Sequence, residues 1–226
     1  MAADFASVWD MAKDRSACRE LQRALDESGD IGRLAIAEGL KSHVWDCIFC
    51  KNANHVLQQT IVVLRSSRVQ FIIDEIMEHP NGALLASKHK FGCRIMERLI
   101  EHCRSDQLRP LVEELFQNDI LRLSNHKFGN FVVQHIMEHG TSSQKHFIAT
   151  AIIDAMGEMH NEYPLNVFEM VLSQGLVEDR IRLRLELLGH YQHIIKKAVA
   201  SRRRKDMPHL MLLDHAKQRL HLGSLC

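Results

Sequence analysis

The sequence predicts an all-α protein, a right-handed α-α superhelix of about five to six stacked three-helix repeats. Three observations predict it. The composition favours helix over sheet, with four prolines and two tyrosines against abundant Leu, Ile, Met, Ala and Glu. Apolar residues return at three- and four-residue steps, the spacing of one helix face. A unit of about three dozen residues also recurs along the chain.

The recurrence is plainest in FGNFVVQHIMEHG (128–140) and its near-copy FGCRIMERLIEHC (91–103). Aligned on these, Cys18, Asn54, Cys93, Asn130 and Leu165 follow one another at intervals of 36, 39, 37 and 35 residues. Each unit carries an apolar pair two and three places on: Val56-Leu57, Ile95-Met96, Val132-Val133 and Val167-Phe168, with Glu20-Leu21 as an imperfect first copy. A second amphipathic segment lies between copies, at 68–79, 106–117 and 144–156, and short breaks such as HPNG (79–82) and EHGTSS (138–143) separate the helices. One repeat domain spans 1–226 in this reading. Its units are 1–26 (partial), 27–64, 65–103, 104–140, 141–175 and a degenerate 176–209, and 210–226 forms a C-terminal cap whose LMLLDHAKQRLHL (210–222) covers the last apolar face.

Bulk charge is uninformative. The formal net charge is +1, so a polyanionic partner would have to be met by a local basic face. The opening MAADFASVWD has no apolar core and apolar runs such as IVVL (61–64) are too short to cross a bilayer. The six cysteines are therefore expected to be reduced, in an intracellular protein with no membrane contact.

Within the units, variation concentrates in the first, second and fifth places of a pentad: Cys18-Arg19-Gln22, Asn54-His55-Gln58, Cys93-Arg94-Glu97, Asn130-Phe131-Gln134 and Leu165-Asn166-Glu169. Residues four apart share a helix face and the second place flanks them. Each unit thus offers two short groups side by side with a flat or extended side chain at their edge. That suits a single nucleobase. A Gln amide offers donor and acceptor to an adenine or uracil edge, and a Glu carboxylate only accepts, which fits guanine's adjacent N–H groups. Arg, His and Phe can stack on a base, a contact worth roughly 1–3 kcal/mol. The chemistry points to single-stranded RNA.

The pentads CRELQ, NHVLQ, CRIME and NFVVQ, with HKFG before two of them, resemble Pumilio (PUF) RNA-binding repeats from about residue 10 to about 200. The resemblance implies one base per repeat on a concave face, with the protein's N-terminal end toward the RNA 3′ end. In the family's code Cys18/Gln22 would take A, Asn54/Gln58 U, Cys93/Glu97 G and Asn130/Gln134 U. Arg19, His55, Arg94, Phe131 and Asn166 would stack. Read 5′ to 3′, the site is U-G-U-A. The implied role is selection of mRNAs in post-transcriptional regulation, by a monomer that recruits or blocks regulatory proteins. It would act in the cytoplasm, with nucleus or nucleolus as the alternative.

Leu165 departs from the pattern, leaving Asn166 and Glu169 a blurred guanine preference or none. A truncated sixth unit, HYQHIIKKAVA (190–200), places Gln192, His193 and Lys196 in the reading places. HIMEH (135–139) spells a zinc-hydrolase pattern, but the preceding unit has RLIEH and no third ligand suggests itself, so no metal is expected. Cys47 and Cys50 form a lone C-x-x-C in an apolar helix and read as buried structural thiols. RRRK (202–205) is divided between a phosphate clamp or nuclear address and a solvated loop. No nucleophile–base pair or phosphate loop reaches motif quality, so a binding protein without cofactor is expected. The rival readings are a protein-interaction scaffold of the armadillo or HEAT kind and a sequence-tolerant PUF-like factor of rRNA processing.

Overall fold

The computed structural model describes residues 7–118, 120–156 and 163–201, with side chains as far as residue 189. Among the described residues all regular structure is helical, with α-helices and one 3-10 turn at Ser66–Arg68. The chain divides into two compact units, Met1–Asp119 and Ile120–Cys226.

The first unit begins with α1 (Val8–Lys13) and α2 (Ala17–Glu27). Two triplets of helices follow: α3 (Asp30–Glu38), α4 (Val44–Phe49) and α5 (Ala53–Val63), then α6 (Gln70–Met77), α7 (Gly82–Lys88) and α8 (Gly92–His102). The unit closes with α9 (Ser105–Gln117). Helix α5 packs between α2 and α8, so the pentad helices stand side by side. The apolar pairs do this packing: Val56, Leu57, Ile95 and Met96 are wholly buried, Leu21 nearly so, while Glu20 of the imperfect copy is exposed. Each such side chain contributes roughly 1.5–3 kcal/mol by leaving water.

Adjacent triplets are also joined by carboxylates that cap short helices. Glu75 on α6 accepts from the backbone N–H groups of Ser42 and Val44 at 2.8 and 3.0 Å, where α4 begins. Glu114 on α9 accepts from Leu84 N–H at 3.0 Å in the first turn of α7. These amides have no partner within their own helices, and an anion is favoured at that end.

The second unit holds α10 (Ile120–Ser124), α11 (Gly129–His139), α12 (Ser142–Asp154), α13 (Tyr163–Gln174) and α14 (Val177–Ser201). Helix α11 packs on α13, burying Val132, Val133, Val167 and Phe168. A Thr141/Gln144 capping box starts α12, with Gln144 N–H donating to Thr141 Oγ1 at 3.3 Å and Thr141 N–H to Gln144 Oε1 at 2.9 Å. The reading places expected in the truncated sixth unit (190–200) lie inside α14, one continuous helix of 25 residues. RRRK (202–205) and the cap segment 210–226 lie outside the described residues.

The HKFG stretches are helix starters. His126 Nδ1 accepts from the amides of Phe128 and Gly129 at 3.3 and 3.2 Å, where α11 begins. In the earlier copy the His89 ring lies 3.4 Å from the amides of Phe91 and Gly92 and 3.1 Å from the Ile48 carbonyl. The glycine is required by close approach, because a Cβ on Gly92 would stand 2.4 Å from Ala86 O and one on Gly129 2.8 Å from Leu123 O.

Candidate nucleic-acid interface

The pentads occupy the first two turns of α2, α5, α8, α11 and α13. In the first four, the first place is the second helical residue and the fifth place lies one turn on. The first-place side chains are tucked in: Cys18, Asn54, Cys93 and Asn130 are at most 4% exposed. The second-place residues stand out, with Arg19, His55 and Arg94 exposed and Phe131 half-buried. Gln22, Gln58 and Gln134 are half-buried between them. Short reader, half-exposed amide and projecting edge residue therefore recur as one arrangement.

Hydrogen bonds fix that arrangement. Asn54 Nδ2 donates to Cys50 O at 2.7 Å, and Asn54 Oδ1 accepts from Gln58 Nε2 at 2.9 Å. In the second unit Asn130 Nδ2 donates to His126 O and Lys127 O at 2.8 and 3.1 Å, while Gln134 Nε2 donates to Asn130 Oδ1 at 2.9 Å. Where Cys holds the first place the anchor changes. Gln22 Nε2 donates to the backbone carbonyl of Cys18 at 3.0 Å. The thiols are weak donors, Cys18 to Arg15 O at 3.4 Å and Cys93 to Lys90 O at 3.6 Å. Burial pushes the Cys93 thiol up to about 11, with Glu97 adding to the effect.

Glu97 differs from the glutamines. It is 2% exposed, and Arg94 Nη1 donates to its Oε1 and Oε2 at 3.1 and 2.8 Å. That pairing raises the Arg94 pKa above its ordinary value.

The fifth pentad is built differently. Leu165 is buried among apolar neighbours, and Asn166, expected to stack, donates through Nδ2 to Asn130 Oδ1 at 3.2 Å. It supports the neighbouring reader. Glu169 is half-buried on the same helix. Gln192, His193 and Lys196 fall within α14, but their side chains lie outside the described residues.

One feature was missed in the sequence. Three places before the first place of each of the four regular pentads stands a cation: Arg15, Lys51, Lys90 and Lys127, all exposed. In three units the reader's own side chain donates to that residue's carbonyl. The Lys90 and Lys127 ammonium groups sit 4.5 and 4.8 Å from the ring centres of Phe91 and Phe128. Lys90 and Lys127 belong to the HKFG stretches, and Arg15 and Lys51 hold the same place in the first two units.

His135 Nδ1 donates to Phe131 O at 2.9 Å, and among the described residues no group of three His, Cys, Asp or Glu is placed to hold a metal. Cys47 is fully buried, and burial pushes its thiol far above the ordinary range.

The profile of the Pumilio-family RNA-binding repeat matches residues 7–38, 49–77, 87–116 and 119–153, more than half of the chain. The chain belongs to the Pumilio family. Among Pumilio relatives, the putative Pumilio homolog 7 (chloroplastic) of Arabidopsis thaliana is 29% identical over 106 residues, 47% of this chain and 16% of that protein. Fem-3 mRNA-binding factor 2 of Caenorhabditis elegans is 26% identical over 115 residues, 50% of this chain and 18% of that protein. The matched region is thus less than a fifth of either relative's length. PUF-8, solved in complex with PBE-RNA, superposes with a TM-score of 0.76 at 30% identity, covering 80% of this chain and 52% of that one. The Puf3 RNA-binding domain, bound to a Cox17 RNA 3′ UTR recognition sequence, gives 0.74 at 19% identity over 96% of this chain and 73% of its own. The fold is the Pumilio-repeat α-solenoid, and family and fold both assign a binding role.

Proposed function

We propose that the chain binds single-stranded RNA with one base per pentad and a core preference for 5′-UGUA-3′, and that it thereby selects mRNAs for post-transcriptional regulation. The observation that carries this reading is the repeated arrangement of a buried first-place side chain, an amide or carboxylate one turn on and a second-place residue at their edge. The relatives named as mRNA-binding, and the neighbours solved with RNA, support the same partner.

Edge chemistry favours the base assignments. Gln58 spends one N–H on Asn54 and keeps an N–H and Oε1 for a base. Uracil presents N3–H between two carbonyls, so Oε1 takes N3–H while N–H groups of Gln58 and Asn54 serve the carbonyls. Adenine presents N6–H and N1, which a Gln meets alone, and then a C–H. The small thiol of Cys18 faces that C–H without demanding a partner. Guanine presents two adjacent donors, which only Glu97 among the fifth-place residues of the four regular pentads accepts as a pair. Arg15, Lys51, Lys90 and Lys127 would meet the phosphates and add affinity without sequence preference.

The test is selection from a random RNA library by the purified chain. Enrichment of UGUA is expected. Enrichment of an unrelated sequence, or of none, would overturn the base assignments.

A further inference from the structure

Among the fifth-place residues of the four regular pentads, only Glu97 is fully covered. Arg94 Nη1 donates to both carboxylate oxygens, and 49% of the Arg94 side chain remains exposed while 3% of the Glu97 side chain does. A nitrogen that donates to both oxygens occupies the open edge of the carboxylate between them. That is the edge onto which guanine would place N1–H and N2–H. In α2 the residue three after Arg19 is Gln22, an amide that donates to the Cys18 carbonyl, so Arg19 meets no carboxylate at that place.

We propose that Arg94 is a specificity-determining placeholder: in the free chain its guanidinium fills the donor positions on Glu97 that guanine takes over, and the displaced side chain then lies over the base. The proposal rests on the base-reading function above. Its physical basis is an exchange of donors. A carboxylate this deeply covered is costly to leave without hydrogen-bond donors. Guanine replaces the guanidinium donor for donor, so Arg94 is released to stack. Adenine and uracil offer no such pair of adjacent donors, so Arg94 stays on Glu97 and the wrong base loses both its edge contacts and its stacking partner. The same exchange makes part of guanine's binding energy go into breaking the ion pair. Arg94 is therefore a positioning residue in the free state and a contact residue in the complex.

A mutant cycle tests this. Wild type, Arg94→Ala, Glu97→Gln and the double variant are each titrated with RNA matched to the fifth place, UGUA where Glu97 is kept and UAUA where it is replaced. In the Glu97→Gln background the carboxylate that pairs with Arg94 is gone, so Arg94→Ala should show the larger loss of stacking, roughly 5- to 100-fold. With Glu97 present the same change also removes the competitor, and the loss should be at least about threefold smaller. Arg19→Ala should cost the same in both backgrounds. Equal losses at Arg94 would overturn the proposal by making it a simple stacking residue. A larger loss with Glu97 present would overturn it by making Arg94 a support of Glu97 within the complex. If Arg94→Ala does not fold, Arg94→Lys carries the same comparison, since an ammonium lacks the guanidinium's planar array of donors. Failure of all four proteins to bind either RNA would remove the base-reading function itself, and is distinguishable because it ignores the identity of residue 94.

Discussion

Gln58 Nε2 donates to Asn54 Oδ1 over 2.9 Å, which joins the two readers of α5 into one amide surface. The same bond recurs between Gln134 and Asn130 at 2.9 Å, and the Cys18 unit replaces it with a bond to backbone. The first-place side chain thus holds the Gln where it is Asn, and the backbone does so where it is Cys.

Replacing Asn54 with Cys removes the side-chain anchor and supplies the smaller thiol seen at Cys18. Gln58 is then expected to rest on its own helix's carbonyl, and the preferred RNA to move from UGUA to UGAA. The switch should be roughly tenfold or more, the order of one well-made base contact. Paired competition titrations with the two RNAs measure it. A variant that still prefers UGUA would show that Asn54 does not set the choice.

The cation before each pentad predicts a different signature. Lys90→Ala and Lys127→Ala should weaken binding to matched and mismatched RNA by the same factor. Each should also flatten the dependence of log affinity on log salt by about 0.7, the value for one phosphate contact on a single strand. Affinities at several salt concentrations decide it. An unchanged slope would assign these lysines only to their Phe91 and Phe128 rings.

The repeat was legible because stacked units bury the same places each time. Val56-Leu57, Ile95-Met96 and Val132-Val133 could be placed on one helix face by spacing alone, and all six residues are buried. The pentads could be placed on helices for the same reason. What spacing could not reveal was which partner each polar group finds. Arg94 and Glu97 stand three apart, a distance that permits pairing, yet nothing in the letters says that this pair closes. Asn166 meets Asn130 across 36 residues of chain, through a helix contact that sequence proximity does not encode. The continuity of α14 was hidden by a period that fails there: Gly189 is a weak breaker and no proline interrupts 177–201.

His89 makes the pH dependence of folding specific. Desolvation by burial lowers its pKa from the ordinary value of 6.5, against the opposing pull of the Ile48 carbonyl. The folded state therefore prefers the neutral ring, beside the N-terminus of α8 where a positive charge is unfavourable. As pH falls below about 6.5 the unfolded chain takes up a proton before the folded one does, so stability is full above that value and declines below it. Thermal unfolding between pH 7.5 and 5 should show a shallower decline for His89→Gln than for the parent. Identical slopes would mean that the ring titrates alike in both states.

The capping carboxylates set how strongly neighbouring triplets are joined. Glu114 reaches from α9 to the Leu84 amide in the first turn of α7, and its loss leaves a half-buried N–H without a protein acceptor. Glu114→Ala should cost about 1–2 kcal/mol, as for other lost helix caps and charged hydrogen bonds. Glu114→Gln retains an acceptor oxygen without the charge and should cost less. Because Glu114 lies on α9 and the reading places lie on other helices, neither change should alter which RNA is preferred. Denaturant unfolding together with UGUA/UAUA competition separates the two effects. A change of preference without loss of stability would mean that this cap governs the reading surface, and that the helices carrying the pentads are less rigidly placed than their packing implies.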